Sequence, residues 1–298
     1  MIAKVFSSIS RLGEKHKLQN YPFVRDVLKP LYHKIQRNTT NKVIVKAGDK
    51  TALAIAQQND FLSQNTNRIN AIANILADEI SKKTYLGMIK FRQSCLKKDY
   101  PSELYDKHQY SIKEVVFTKG EVFIDCGAFT GDTIDYFVKY VPDYKQIIAF
   151  EPASNNINKI KEKHGNNPKI MLIEAGAYNY DGIALLDDSE DVAGAIVEAN
   201  EDNKNLISIQ VRAIDNLNIE DVSFIKMDIE GAELNALKGA EQTILKYKPK
   251  LAICIYHNNY DMVQIAEYIH QLVPEYKLYV RHHSLYPSAA ETVLYAIM

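Results

Sequence analysis

The sequence predicts a doubly wound α/β domain with a mostly parallel sheet, preceded by a helical segment. Three observations point there. Short apolar runs alternate with helix-period segments from about residue 121 onward, a glycine turn follows the first of those runs, and the chain ends in two strand-like segments spaced for an antiparallel pair. The boundary falls near residue 110, so residues 1–110 read as a helical accessory region and 111–298 as the α/β domain. A chain of 298 residues can bury such a core and still carry an appendage.

In the first part, residues 4–37 read as two helices. Val5, Phe6, Ile9 and Leu12 share one face, and Phe23, Val27, Leu28, Leu31 and Ile35 share another, with Pro22 and Pro30 starting or bending the second. Helical regions follow over 50–62 and 67–97, where Ile69, Ile72, Ile75, Leu76 and Ile80 recur at three- and four-residue spacing. The first helix is basic with an apolar stripe, which suits packing on the protein and leaves peripheral contact with a membrane surface open.

In the second part, strands are expected at Val122–Asp125, Gln146–Glu151, Ile170–Glu174, Phe224–Asp228 and Leu251–Tyr256, with helices after Gly131, Asn155, Gly231 and Tyr260. Between the third and fourth strands, Ile183–Leu186 and Ile207–Ile214 read as an extra hairpin around an acidic DDSED run. The closing pair is Tyr276–Arg281 and Thr292–Ile297.

Composition bounds the function. With 46% hydrophobic and 24% charged residues, the chain has the make-up of a folded globular protein rather than a disordered one. Its net charge of −1 hides two halves, 19 Lys+Arg against 9 Asp+Glu in residues 1–110 and 17 against 28 thereafter. Such asymmetry fits parts that face each other or a partner protomer, so homo-oligomer formation through the basic region is an expectation. Cys95, Cys126 and Cys254 are odd in number and lack metal-ligand spacing, which suits a reducing cytoplasm. No apolar stretch reaches the roughly 20 residues of a membrane helix, and neither a signal peptide nor a transmembrane segment is expected. Nucleic acid is not an expected partner either, since the basic region shows no stacking platform.

Residues 122–133, VFIDCGAFTGDT, carry a buried strand ending in Asp125, a loop with Gly127 and Gly131, and a helix start. Gly127 can adopt positive φ, and the helix beginning near Gly131 offers its positive end to an anion. Glu151 ends the next strand, where a carboxylate can accept hydrogen bonds from both ribose hydroxyls of an adenosine. S-adenosylmethionine matches this set: it brings an adenosine, a carboxylate for the helix end and a cationic side that Asp125 can stabilise directly or through the loop. After the third strand, Gly176 and Ala177 are small enough to admit an adenine ring. Either acid alone would read as a helix cap or a solvated strand end. A nicotinamide dinucleotide asks for G-x-G-x-x-G, and Asp125, Gly127 and Thr130 stand where its glycines would be.

The segments DCGAFTGDT, AFEP and FIKMDIEGAELNALKGAE, in that order and spacing, resemble the FkbM family of methyltransferases. LAICIYHNNYDM, VRHH and ETVLYA are similar to its C-terminal half, and ILADEISKKTYLGMIKFR to a run that some members carry ahead of the domain. The resemblance covers about 115–298 and is most specific over Lys226–Glu241. It implies the class I methyltransferase fold, a seven-stranded Rossmann-like sheet with a C-terminal antiparallel pair. It also implies S-adenosylmethionine as donor, and O-methylation of a hydroxyl on a sugar, glycan, glycolipid or secondary metabolite. Carried onto this sequence, it places the cofactor against Asp125, Cys126, Gly127, Ala128, Phe129, Gly131, Asp132, Glu151 with Pro152, the Gly176–Ala177 turn and Asp228.

Methyl transfer to an alcohol needs alignment and a group to take the hydroxyl proton. Asp228 and Glu230 stand two apart at the end of the fourth strand and project to one side if that strand continues, while His257 ends the fifth. These three are the catalytic candidates. A divalent cation between the carboxylates is conceivable but not favoured, because two carboxylates alone make a thin ligand set. Glu233 reads as a charge favouring its helix's positive end, and Lys226 as a partner for a carboxylate. Tyr256, Tyr260 and Phe129 suit pocket lining or core, and His282, His283 and Arg281 the rim. Two other readings stay open: a noncatalytic cofactor-binding or assembly module, and a nucleotide-dependent oxidoreductase.

Overall fold

The computed structural model describes residues 59–94, 96–187, 195–197 and 206–298. The helices expected over 4–37, the first stretch of the region 50–62 and most of the DDSED run lie outside them.

Seven strands form the main sheet: β1 (Val122–Cys126), β2 (Gln146–Phe150), β3 (Ile170–Ile173), β8 (Phe224–Met227), β9 (Lys250–Cys254), β10 (Lys277–His282) and β11 (Thr292–Ile297). Their order is β10-β11-β9-β8-β1-β2-β3. All neighbours run parallel except β11, which is inserted antiparallel between β9 and β10. Chain order reverses at the β1/β8 pair, where Asp125 stands beside Ala149 on one side and Lys226 on the other. That switch point is where an open α/β sheet binds ligands.

The strands are continuous apolar runs because helices cover both faces, α4 (Asp132–Tyr140), α5 (Ser154–His164), α6 (Glu233–Lys238), α7 (Glu241–Tyr247) and α8 (Asp261–Leu272) among them. Phe123, Phe137 and Phe224 stack at the heart of the core, with ring centroids 4.6 and 4.9 Å from Phe123. A single helix was expected after Gly231, but Gly239 divides it: a Cβ there would stand 2.0 Å from the Tyr178 carbonyl oxygen.

The extra hairpin is a small sheet of its own, ordered β4-β7-β5-β6, with β5 (Gly182–Asp187) and β7 (Leu206–Arg212) antiparallel. Two short strands escaped the sequence reading, β4 (Gly176–Ala177) and β6 (Ala195–Val197). Two or three residues are too few to show a period.

Before the sheet come α1 (Asn59–Gln64), at the end of the helical region expected over 50–62, and α2 (Thr66–Ile75) and α3 (Glu79–Ser94), which replace the single helical region expected over 67–97. The break has a cause. The Ala77 N–H donates to the Leu278 carbonyl on β10, and Asp78 accepts from the Ser81 N–H at the start of α3 while pairing with Arg281. Residues 59–94 belong to the same compact unit as 99–298, and α3 packs on β10 while α2 meets α8. No helix among the described residues is long and apolar enough to cross a membrane.

Candidate functional site

The glycine loop after β1 is shaped by backbone that other residues cannot supply. Gly127 has φ +85, and a Cβ on it would lie 2.0 Å from the Asp228 carbonyl oxygen, so the loop packs directly on the chain leaving β8. The Gly127 and Ala128 N–H groups donate to the Phe150 carbonyl, and the Phe129 N–H donates to Glu151 Oε2 at 2.8 Å. Glu151 also accepts from the Ala153 N–H at 2.9 Å and the Asn156 amide at 3.3 Å. A carboxylate has about four acceptor positions, so capacity for a ligand hydroxyl remains.

Phe129 sits in the left-handed region at φ +48 with its ring exposed, an uncommon pose for a bulky residue. Gly131, at φ +81, opens α4, whose first turn leads with exposed Asp132 and presents backbone N–H groups without intrahelical partners. Cys126 and Ala128 are fully buried beneath the loop, and Pro152 follows Glu151 half-buried. Gly176 and Ala177 are buried in β4, paired with Val211 and Arg212 of β7. This set fits S-adenosylmethionine: a tight loop, a helix start for a carboxylate and a strand-end acid with acceptor capacity left.

The Asp125 carboxylate is fully buried and lies 3.0 Å from Lys226 Nζ. Lys226 also donates to the Gly127 carbonyl at 2.8 Å, and its ammonium stands 5.4 Å from the Tyr110 ring. Burial disfavours that charge, but Asp125 and Asp228 outweigh it and hold Lys226 protonated.

Across the switch point lies an acidic cluster around one imidazole. β8 stops at Met227, and Glu230 is left-handed at φ +58, so Asp228 and Glu230 do not share a strand face as expected. The turn instead brings both to His257 Nε2, at 3.4 and 3.5 Å, while His257 Nδ1 lies 3.0 Å from Glu233 Oε1. Glu233, read as a helix-end charge, is fully buried and also accepts from the Ile229 N–H at 2.8 Å. The buried Asp261 and the half-buried Glu291 complete the ring of acids that acts on His257.

The charges follow from these distances. Burial opposes a charged His257, yet Glu233, Glu230 and Asp228 prevail and raise its pKa to about 9. Burial and the neighbouring Asp228 and Glu233 raise Glu230 to about 7 against the pull of His257. Asp228 is also penalised by burial, but Lys226, His257 and two tyrosine hydroxyls lower its pKa. Tyr256 donates to Oδ1 at 2.8 Å and Tyr110 to Oδ2 at 2.9 Å. Asp228, Glu233 and His257 offer one ligand-type atom each within 4.8 Å of one another. Within the protein, those groups are engaged with the tyrosine hydroxyls and with each other.

Sequence reasoning passed over Tyr110, Glu233 as a partner of His257, and Arg92, whose guanidinium donates to the Tyr256 carbonyl. The rim candidates are structural: His282 is buried between Tyr100 and Thr292, His283 binds the Asp106 carbonyl, and Arg281 pairs with Asp78. Burial drives the pKa of His282 to about 3 and of His283 to about 4, so both are neutral.

No curated protein sequence matches the chain. Among solved structures it is similar to a methyltransferase FkbM from Methylobacillus flagellatus KT, with 26% identity and a TM-score of 0.67 over 80% of this chain and 60% of that one. It therefore spans less than two thirds of that protein's length. More distant are an rRNA methylase from Streptococcus thermophilus (13% identity, TM-score 0.40, 65% of this chain and 89% of that one) and the Aeropyrum pernix fibrillarin with bound S-adenosyl-L-methionine (12%, 0.41, 63% and 70%). The sheet order with its antiparallel β11 is that of the class I methyltransferase fold. The methyltransferase FkbM domain matches residues 125–280, more than half of the sequence, and the chain belongs to that family.

Proposed function

We propose that this protein is an S-adenosylmethionine-dependent O-methyltransferase acting on a hydroxyl of a sugar, glycan, glycolipid or secondary metabolite. The observation that carries the reading is the meeting, at one switch point, of the Gly127–Gly131 loop and Glu151 with the Asp228–Glu230–His257 cluster on the other side. Bound S-adenosylmethionine supplies a methyl group activated on a sulfonium sulfur.

In this reading the first turn of α4 holds the ligand carboxylate, Glu151 accepts from a ribose hydroxyl, and Gly176–Ala177 border the adenine. Asp125 acts through Lys226, which fixes the Gly127 carbonyl. On the acceptor side the base is Glu230. Its pKa of about 7 suits proton removal at neutral pH, whereas His257, with a pKa of about 9, is an imidazolium donor that orients the acceptor oxygen. Residues 111–298 supply the groups that react, and association of copies runs through the basic 1–110 segment.

Calorimetry with S-adenosylmethionine and S-adenosylhomocysteine tests the cofactor assignment. Micromolar binding is expected, weakened about tenfold or more by Glu151→Ala. Unchanged affinity in the folded variant, or binding of NADH in place of the methyl donor, would overturn the reading. Transfer of a labelled methyl group across a panel of sugars, glycolipids and small alcohols then identifies the acceptor, and binding without turnover on any of them would mark a noncatalytic module.

A further inference from the structure

Two side chains from ahead of the matched segment, the buried Arg92 and the half-buried Tyr110, hold the acceptor side of the site. Arg92, on α3, is 1% exposed, and its guanidinium donates to the Tyr256 carbonyl, to Asn259 Oδ1 at 2.9 Å and to the Ala289 carbonyl at 2.8 Å. It thereby ties the loop carrying His257 to the loop between β10 and β11. Five donors in a planar fork can bind three acceptors from two loops at once, which a lysine cannot reproduce.

Tyr110 enters from the other side. Its backbone is left-handed, φ +63, a costly pose for an aromatic residue unless its surroundings enforce it. Here they do: the Tyr110 N–H donates to the Tyr295 hydroxyl at 3.0 Å, and neighbouring Gln109 donates to Glu291 at 2.7 Å. The pose aims the phenol at Asp228 Oδ2, 2.9 Å away, while Tyr256 holds Oδ1. Burial keeps the Tyr110 hydroxyl protonated, so it serves as a fixed donor.

We propose that Tyr110 and Arg92 are positioning residues for methyl transfer, Tyr110 by fixing the Asp228 carboxylate and Arg92 by fixing the loop that bears His257. The acceptor side is then assembled only when the segment ahead of residue 111 is folded onto the sheet. This rests on the reading of Asp228, Glu230 and His257 as the transfer site, and the cofactor side does not depend on it.

The test uses the full chain with Tyr110→Phe and Arg92→Lys, and follows the His257 imidazole by nitrogen NMR, its signal assigned with His257→Gln. The acids that set its titration are Asp228, Glu230, Glu233, Asp261 and Glu291, with Lys226 behind Asp228. Tyr110→Phe removes a competitor for the charge of Asp228, so the His257 midpoint should rise by about half a pH unit. Arg92→Lys frees the loop, so the midpoint should fall by at least about as much. Affinity for S-adenosylhomocysteine should stay within about twofold in both.

A midpoint unmoved in the folded variants would overturn the inference. If one variant fails to fold, the other decides, and failure of both would make the residues purely structural and end the proposal. Loss of S-adenosylhomocysteine binding by the unsubstituted protein would instead sink the cofactor reading while leaving the His257 result to be judged alone.

Discussion

Glu230, the base in the proposed reaction, combines a left-handed backbone with a carboxyl group whose pKa is raised to about 7, two features that separately cost stability and together place a readily titrated carboxyl beside His257. A base works only when ionised, so methyl transfer should rise with pH through about 7 and then level off. Glu230→Gln should lower the rate roughly 100-fold and remove that rise, read from initial rates at saturating methyl donor. His257 gives the opposite dependence in stability. Its folded pKa of about 9 lies above the ordinary 6.5, so its stabilisation is complete below about 6.5 and is lost as pH rises through 9. The shift corresponds to about 3 kcal/mol, and His257→Gln should flatten the fall of melting temperature above pH 8. Asp228, Glu230 and His257 were legible in the sequence because each follows an apolar run that ends at the crevice. The reach of Glu233 to His257 and the donors on Asp228 were not, because they depend on where a turn and a remote tyrosine finish in space.

The loop after β1 is the element that sets the spacing of the crevice. Gly127→Ala would force a Cβ to 2.0 Å from the Asp228 carbonyl oxygen at a φ that alanine resists. A loss of about 3 kcal/mol in stability is expected, together with loss of S-adenosylhomocysteine binding, as measured by denaturant unfolding and calorimetry. Strand positions were readable to within one or two residues. The run expected at Phe224–Asp228 is Phe224–Met227, and that at Leu251–Tyr256 is Lys250–Cys254. Buried parallel strands announce themselves as unbroken apolar runs. The breaks at 76–78 and at Gly239 did not, because periodicity continues through them and tertiary contacts with Leu278 and Tyr178 make them.

At the scale of the molecule, the order of the seven strands puts the two halves of the crevice on neighbouring strands, and Lys226 of β8 touches both. Its ammonium neutralises Asp125, grips the Gly127 carbonyl and lies against the ring of Tyr110, which in turn holds Asp228. Donor side and acceptor side therefore share a tether, and slack introduced there spreads in both directions. Lys226→Met should weaken S-adenosylhomocysteine binding and shift the His257 titration together, whereas Glu151→Ala should affect the first alone. Arrival of one substrate would then tune the berth of the other, and to the same degree whichever arrives first, without any moving domain.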